Sequence, residues 1–215
     1  MQFLRFILFP FAILYGIPVA IRNFFYRKGI FKSSKFSIPI ISVGNLSVGG
    51  TGKTPHVEYL VELLQNDYKV ATLSRGFGRK ERGFRIADEN TSYLQIGDEP
   101  MQYYRKYGDR IKVVAEPNRV KGVMDLMHQH PDTQVVLLDD AYQHQAVHRG
   151  INILLTTEDQ PFTRDFILPV GNLRESARNA SRADIVIVSK CSDFQKVDKS
   201  YFNNKINNKN LFFST

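Results

Sequence analysis

The chain has no tryptophan and one cysteine, Cys191, in 215 residues. A single thiol excludes a disulfide framework and suits a reducing compartment. With no C-x-x-C pair and no Cys/His cluster, a structural zinc site is not expected. Also missing is an apolar run of the roughly 20 residues that a spanning helix needs. The uncharged stretch Phe6–Ile21 covers 16 residues, and Pro10 and Pro18 are expected to interrupt it. Acids are absent from residues 1–35, which hold Arg5, Arg22, Arg27, Lys28, Lys32 and Lys35. The net charge of +8 is therefore concentrated at one end of a near-neutral chain. That placement argues against a uniformly basic nucleic-acid-coating surface, and no nucleic-acid partner is expected. No protein partner is inferred either.

What is present is globular composition: 43% hydrophobic and 23% charged residues. A chain of this length can bury a sizeable core, as one domain with a possible appendage. Residues 1–35 read as the appendage and 36–215 as the globular domain. The first segment is rich in Phe and Tyr, among them Phe3, Phe6, Phe9, Phe11, Tyr15, Phe24, Phe25, Tyr26 and Phe31. Aromatics and cations flanking an apolar stretch suit a helix lying in the headgroup region of a membrane. Anionic lipid would attract Arg22, Arg27 and Lys28. A buried first helix and a secretory signal ending near Pro18-Val19-Ala20 are the competing readings.

Further along, apolar runs at 38–43, 69–73, 111–115, 134–138, 151–155 and 184–188 read as strands. Val57, Leu60, Val61 and Leu64 fall at helical spacing, as do Val120, Val123 and Met127. Buried strands alternating with helices predict an α/β fold with a mostly parallel sheet flanked by helices. Residues 159–173 read as loop. Lys196–Asn210 is polar, and Leu211-Phe212-Phe213 reads as a strand beginning where the chain stops.

Four motifs carry chemistry. Gly49-Gly50-Thr51-Gly52-Lys53-Thr54 follows a strand and precedes a helix, as a P-loop does, although Ser47 stands where the first glycine of the pattern belongs. Glycines let backbone N–H groups turn toward phosphate oxygens, and the helix N-terminus adds partial positive charge. Lys53 would neutralise the β- and γ-phosphates of ATP, and the Thr54 hydroxyl would reach Mg²⁺. Asp139-Asp140 ends the run Val135–Leu138, delivering acids to the C-terminal edge of a strand, where open α/β sheets bind ligands. His144 follows and could touch phosphate or substrate; a structural role competes. In Gly97-Asp98-Glu99-Pro100, Asp98 could accept a hydroxyl proton and Glu99 could assist Mg²⁺. A plain helix cap by Glu99, with Pro100 opening the helix, is the competing reading. Ser74–Lys80, with Arg75 and Arg79 among glycines, suits an anionic substrate group or a solvated basic loop. Arg119 and Arg174-Glu175 are weaker signals.

Together Gly44-Asn45, Gly49–Pro55, Ser74–Arg79, Gly97–Pro100, Asp139–His144 and Leu168–Glu175 resemble the tetraacyldisaccharide 4′-kinase (lipid A 4′-kinase) family, in family order along the whole chain. The resemblance implies a P-loop NTPase-like kinase on the cytoplasmic face of the bacterial inner membrane. It would move the ATP γ-phosphate to the 4′-hydroxyl of a tetraacylated glucosamine disaccharide 1-phosphate, with the first helix docking on the lipid surface. Carried over by motif, Lys53, Asp98 and Asp140 are the expected catalytic residues. Gly49, Gly50, Thr51, Gly52, Lys53 and Thr54 are expected to cradle ATP. Thr54, Glu99, Asp139 and Asp140 are expected to hold Mg²⁺. Arg75, Arg79, Arg119, His144 and Glu175 are expected to meet the substrate. Ala141-Tyr142 replaces the family's usual Gly-Phe. The family's C-terminal part, with a His that pairs with the catalytic Asp, lies beyond the end of this chain, which is therefore expected to be a truncated form. A membrane-associated nucleotide switch, with Val188-Ser189-Lys190 reading the base, or an ATP-binding fragment is the alternative.

Overall fold

Fully buried strands need apolar residues on both faces, and the sequence supplies them in short runs bounded by Gly, Pro or Asp. The computed structural model describes residues 5–193 and 210–215. Most of the polar stretch at 196–210 lies outside the described residues. In chain order the elements are α1 (Phe9–Arg27), β1 (Ile40–Asn45), α2 (Lys53–Leu64), β2 (Val70–Ser74), β3 (Arg85–Ile86), α3 (Tyr93–Ile96), α4 (Asp98–Tyr107), β4 (Lys112–Ala115), α5 (Arg119–Gln129), β5 (Val135–Asp139), β6 (Ile151–Thr157), β7 (Ile185–Ser189) and β8 (Leu211–Phe213). The expected strands and helices all form, and Leu211–Phe213 pairs as a parallel strand with β7. The short β3 and α3 carry too little periodicity to be read from sequence.

The chain divides into two compact units. One comprises Ser33–Val43 and Lys53–Ile151. Its strands run in the order β3-β4-β2-β5-β1. All pairs are parallel except β3 with β4. Register places Leu73 beside both Leu138 and Val114, and Ile40 beside Val136. These side chains form one core with Val123 and Leu126 of α5. Strand side chains alternate, so Thr72, Val113 and Leu137 turn to the opposite face, where α2 and α4 pack. Right-handed crossovers require this split, because β1-α2-β2 and β2-α4-β4 step one way along the sheet and β4-α5-β5 steps back. Asn118 caps α5 by accepting from the Lys121 N–H. The helix expected to open at Pro100 opens two residues earlier. Asp98 and Glu99 lie in its first turn and Arg105 and Lys106 in its last, each matching the helix dipole.

The other unit comprises residues 1–32, 44–52 and 152–215. It holds α1, the Gly-rich loop and the parallel strands β6-β7-β8. Here the structure corrects the sequence reading of α1. Pro10 sits in the first turn, where a missing N–H costs nothing, and Pro18 lies inside a helix that continues through it to Arg27. Proline removes one helical bond; the bonds on either side persist. The apolar segment Phe6–Arg27 is long and apolar enough, by length and composition, to cross a membrane. Ile7, Phe9, Phe11, Ile13, Leu14, Ile17 and Ile21 are all exposed on it, whereas Ala12 and Asn23 are buried.

Candidate nucleotide site

The strand-to-helix loop is braced from within its own unit. Asn45, fully buried at the end of β1, donates from Nδ2 to Thr51 Oγ1 at 2.9 Å and to the Gly49 carbonyl at 3.4 Å. The loop can bend back on that asparagine because Gly49 takes φ +118°, a conformation side-chain-bearing residues avoid. Residues 172–174 run alongside the loop entrance. Val48 N–H donates to the Asn172 carbonyl at 2.8 Å, and Arg174 N–H to the Leu46 carbonyl at 2.7 Å. Ser47, the departure from the P-loop pattern, bridges to Leu173 here. Ser189 Oγ donates to carbonyls of Thr51 and Thr156, at 2.9 and 3.1 Å.

In the other unit, Lys53 and Thr54 open α2 and meet the tip of β5. Lys53 Nζ lies 3.7 Å from Asp140 Oδ1. Asp140 holds a left-handed backbone, φ 47°, where the chain leaves the strand. Asp139 is buried, 1% exposed. Its Oδ2 accepts from the Tyr103 hydroxyl at 2.9 Å, and its Oδ1 has no hydrogen-bond partner. Burial, reinforced by the charge of Glu99, raises the Asp139 carboxyl to about 6. Burial also pushes the Tyr103 phenol far above its ordinary range, and the Asp139 charge adds to this, so it remains a donor. The Thr54 hydroxyl lies beside the same phenol and acts in the opposite direction.

A second close approach places Asp98. A side chain on Gly97 (φ +100°) would stand 2.7 Å from the Phe77 carbonyl oxygen and 2.9 Å from the Gly76 carbonyl carbon. Only glycine lets the loop after β2 abut the start of α4. As a result the Asp98 carboxylate hangs over Gly78, with Oδ2 3.8 Å from where a Cβ there would be. Asp98 is exposed and Glu99 half-buried.

Five further residues were expected to meet substrate, and their surroundings differ. Arg75 is exposed beside Gly76. Arg79 is half-buried and donates to the Ala115 carbonyl at 3.2 Å. Arg119 is buried, with Nη1 on the Glu116 carbonyl at 2.8 Å and Nη2 on the Asp139 carbonyl at 3.1 Å. Burial lowers its guanidinium to about 10, against the pull of Asp139 and Asp140. His144 is half-buried in the turn after Asp140. Glu175 is fully buried in the other unit. Its carboxylate takes two bonds from Arg182, at 2.6 and 3.0 Å, one from Asn179 at 2.8 Å and one from Asn23 of α1 at 2.7 Å. The structure thus gathers Lys53, Thr54, Glu99, Asp139, Asp140 and Arg119 around one strand tip and ties Glu175 into an internal polar network. Tyr103 was not singled out in sequence, where its one signal was an aromatic a helical turn beyond Glu99; Asn45 was named only as part of the Gly44-Asn45 motif, with no role.

The donor set fits Mg²⁺. Among the described residues no group of three or more His, Cys, Asp or Glu forms a cation cage. Mg²⁺ does not require one, since it binds through one or two carboxylates plus waters and substrate phosphates. A buried aspartate with an unpartnered oxygen beside a P-loop threonine supplies the protein's share.

Comparison with known proteins points to the family that the motifs resemble. The family model described as LpxK, tetraacyldisaccharide-1-P 4′-kinase, matches residues 4–212. The chain is 56% identical over 191 residues to a tetraacyldisaccharide 4′-kinase of Flavobacterium johnsoniae, covering 89% of this chain and 56% of that protein. It is 43% identical over 213 residues to that of Bacteroides fragilis strain YCH46, covering 97% and 56%. The chain therefore spans about half the length of the curated relatives it matches. Among solved structures, LpxK from Aquifex aeolicus in complex with ATP is similar, with TM-score 0.80 and 40% identity over 91% of this chain and 60% of that one.

Proposed function

The chain belongs to the tetraacyldisaccharide-1-P 4′-kinase family, and from that premise we propose that it carries the nucleotide-binding and phosphoryl-transfer groups of such a kinase. The donor is ATP with Mg²⁺. The acceptor is the 4′-hydroxyl of an acylated glucosamine disaccharide 1-phosphate, a lipid A precursor. The observation that supports this most directly is the strand tip itself, where Lys53 stands 3.7 Å from Asp140 beside the unpartnered Asp139 Oδ1.

Each residue has a task in that chemistry. Amides of Gly49–Gly52 and the ammonium of Lys53 bind the phosphates and neutralise charge that spreads over the γ-phosphoryl oxygens. Mg²⁺, when bound, would neutralise charge on the phosphates. Thr54, Asp139 and Asp140, with Glu99, would hold it. Asp98 is solvent-accessible and so can reach an incoming hydroxyl. As the hydroxyl oxygen forms its bond to the γ-phosphorus, its proton passes to the Asp98 carboxylate and ADP leaves with the bridging oxygen. Arg75, exposed on the adjoining loop, is suited to an anionic acceptor group.

The N-terminal helix gives the reaction a place. Its exposed Phe, Ile and Leu side chains and its cluster Arg22, Arg27 and Lys28 fit a bilayer with anionic headgroups. We assign the protein to the cytoplasmic face of the inner membrane, where ATP and a lipid acceptor meet. The test is transfer of ³²P from [γ-³²P]ATP to the acylated disaccharide in mixed vesicles, comparing the chain with Lys53→Ala. Label in the lipid fraction that disappears with Lys53→Ala is expected. Transfer unchanged by Lys53→Ala would end the kinase reading of this loop.

A further inference from the structure

A fully buried tyrosine whose hydroxyl faces an aspartate at a phosphate site calls for a reason beyond packing, because phenylalanine would fill the same space. Tyr103 is such a residue. It lies on α4 one turn beyond Glu99, on the helix whose first turn carries Asp98. Its hydroxyl has two neighbours: Asp139 Oδ2 at 2.9 Å, and the hydroxyl of Thr54.

Hydrogen-bond bookkeeping gives this trio one direction. An ionised aspartate only accepts, so the single phenolic proton goes to Asp139. The phenolic oxygen can then only accept from Thr54, which commits the threonine proton. Two consequences follow. Thr54 oxygen lone pairs are turned away from Tyr103, and Asp139 Oδ2 is occupied, leaving Oδ1 as its free oxygen. Oδ1 is the atom that the structure leaves without a partner. The two oxygens most suited to a divalent cation are thus aimed by one phenol, which also ties the helix bearing Asp98 and Glu99 to the strand tip.

We propose that Tyr103 is a positioning residue for the cation site, aiming Thr54 Oγ1 and Asp139 Oδ1 through a Thr54–Tyr103–Asp139 relay and coupling that site to α4. The proposal rests on the nucleotide-site reading above. Partners of this kind behind metal ligands commonly tune metal affinity by 10- to 100-fold on removal.

The test is Tyr103→Phe in the 215-residue chain. ATP affinity is measured by calorimetry, first in EDTA and then across a MgCl₂ titration, and Mn²⁺ affinity of the ATP complex is measured by electron paramagnetic resonance. The expected result is a rise of roughly 10-fold in the Mg²⁺ and Mn²⁺ concentrations required. ATP affinity in EDTA should stay within about twofold, since the phenol touches no phosphate-binding group other than Thr54. On an Asp139→Asn background the same substitution should raise the cation requirement by less, because only the Thr54 arm of the relay remains to be lost. An unaltered cation requirement overturns the proposal, and so does a parallel loss of affinity in EDTA, which marks a purely structural role. Should the variant not fold, wild-type protein carrying ring-¹³C tyrosine gives the second readout. The Tyr103 resonance should move when MgCl₂ joins the ATP complex, while that of Tyr107, whose hydroxyl faces the Glu58 carbonyl, should not; a silent Tyr103 also overturns it. Wild-type protein that binds no ATP, with or without Mg²⁺, would instead remove the nucleotide-site reading itself, and the relay with it.

Discussion

Asp139 should make the metal-free protein less stable as pH rises, opposite to the usual behaviour of a folded carboxylate. Burial first, and the charge of Glu99 second, raise its folded value from 3.8 to about 6. The folded state therefore binds this proton more tightly than the unfolded chain does. The resulting stability is complete below about pH 4 and is lost as pH rises through about 6. Each pH unit between the two values is worth about 1.4 kcal/mol, so the whole loss is on the order of 3 kcal/mol. Asp139→Asn removes the titration and keeps an acceptor for Tyr103, so the difference between the two proteins isolates it from every other group. In chemical denaturation without Mg²⁺ or nucleotide, wild type should lose about 3 kcal/mol relative to Asp139→Asn between pH 4 and pH 7.5. In thermal melts, 2–4 °C per kcal/mol for a chain of this size makes the relative shift roughly 6–12 °C. MgATP should narrow the gap at neutral pH, because binding to the folded state compensates the buried charge. Parallel stability profiles for the two proteins would refute the reasoning and show Asp139 to be adequately solvated.

Two further outcomes are expected. Arg182→Ala removes the cation paired with the fully buried Glu175 carboxylate and should destabilise the fold by about 3–5 kcal/mol in urea denaturation. A loss under about 1 kcal/mol would mean that the network is not energetically closed. Replacing exposed Leu14, Ile17 and Ile21 of α1 with Gln should lower partition into anionic vesicles at least tenfold, since burying each apolar side chain is worth about 1.5–3 kcal/mol. Melting temperature and ATP affinity should be unchanged, and vesicle co-sedimentation equal to wild type would contradict a lipid-facing α1.

Much of the architecture can be read one residue at a time. Val135–Leu138 followed by two acids, or Gly49–Thr54 between a strand and a helix, are local patterns whose physics acts within a few residues: side-chain period, glycine backbone freedom, helix capping. That is why strand order along the chain, the parallel α/β class and family membership are legible in the sequence alone. Local rules misplaced the effect of Pro18, because one lost helical bond is a small term beside the bonds and flanking side chains that continue the helix. They placed the start of α4 at Pro100 where the acids of its first turn already belong to the helix.

Identity alone does not separate charged groups that meet solvent from those that hold the interior together. Arg75 and Arg119 look alike in sequence. One is exposed on a loop, and the other is locked to two carbonyls at the base of the strand tip. Glu175 reads as a motif residue, yet its partners include Asn23, 152 positions away. Tyr103 acquires a purpose only once α4 brings it to Asp139, 36 residues distant. Composition, period and turn chemistry determine which elements form and in what order, because those forces are short-ranged along the chain. Burial and hydrogen-bond pairing between distant segments are decided only in three dimensions, because the cost of removing a charge or hydroxyl from water depends on what the fold places beside it.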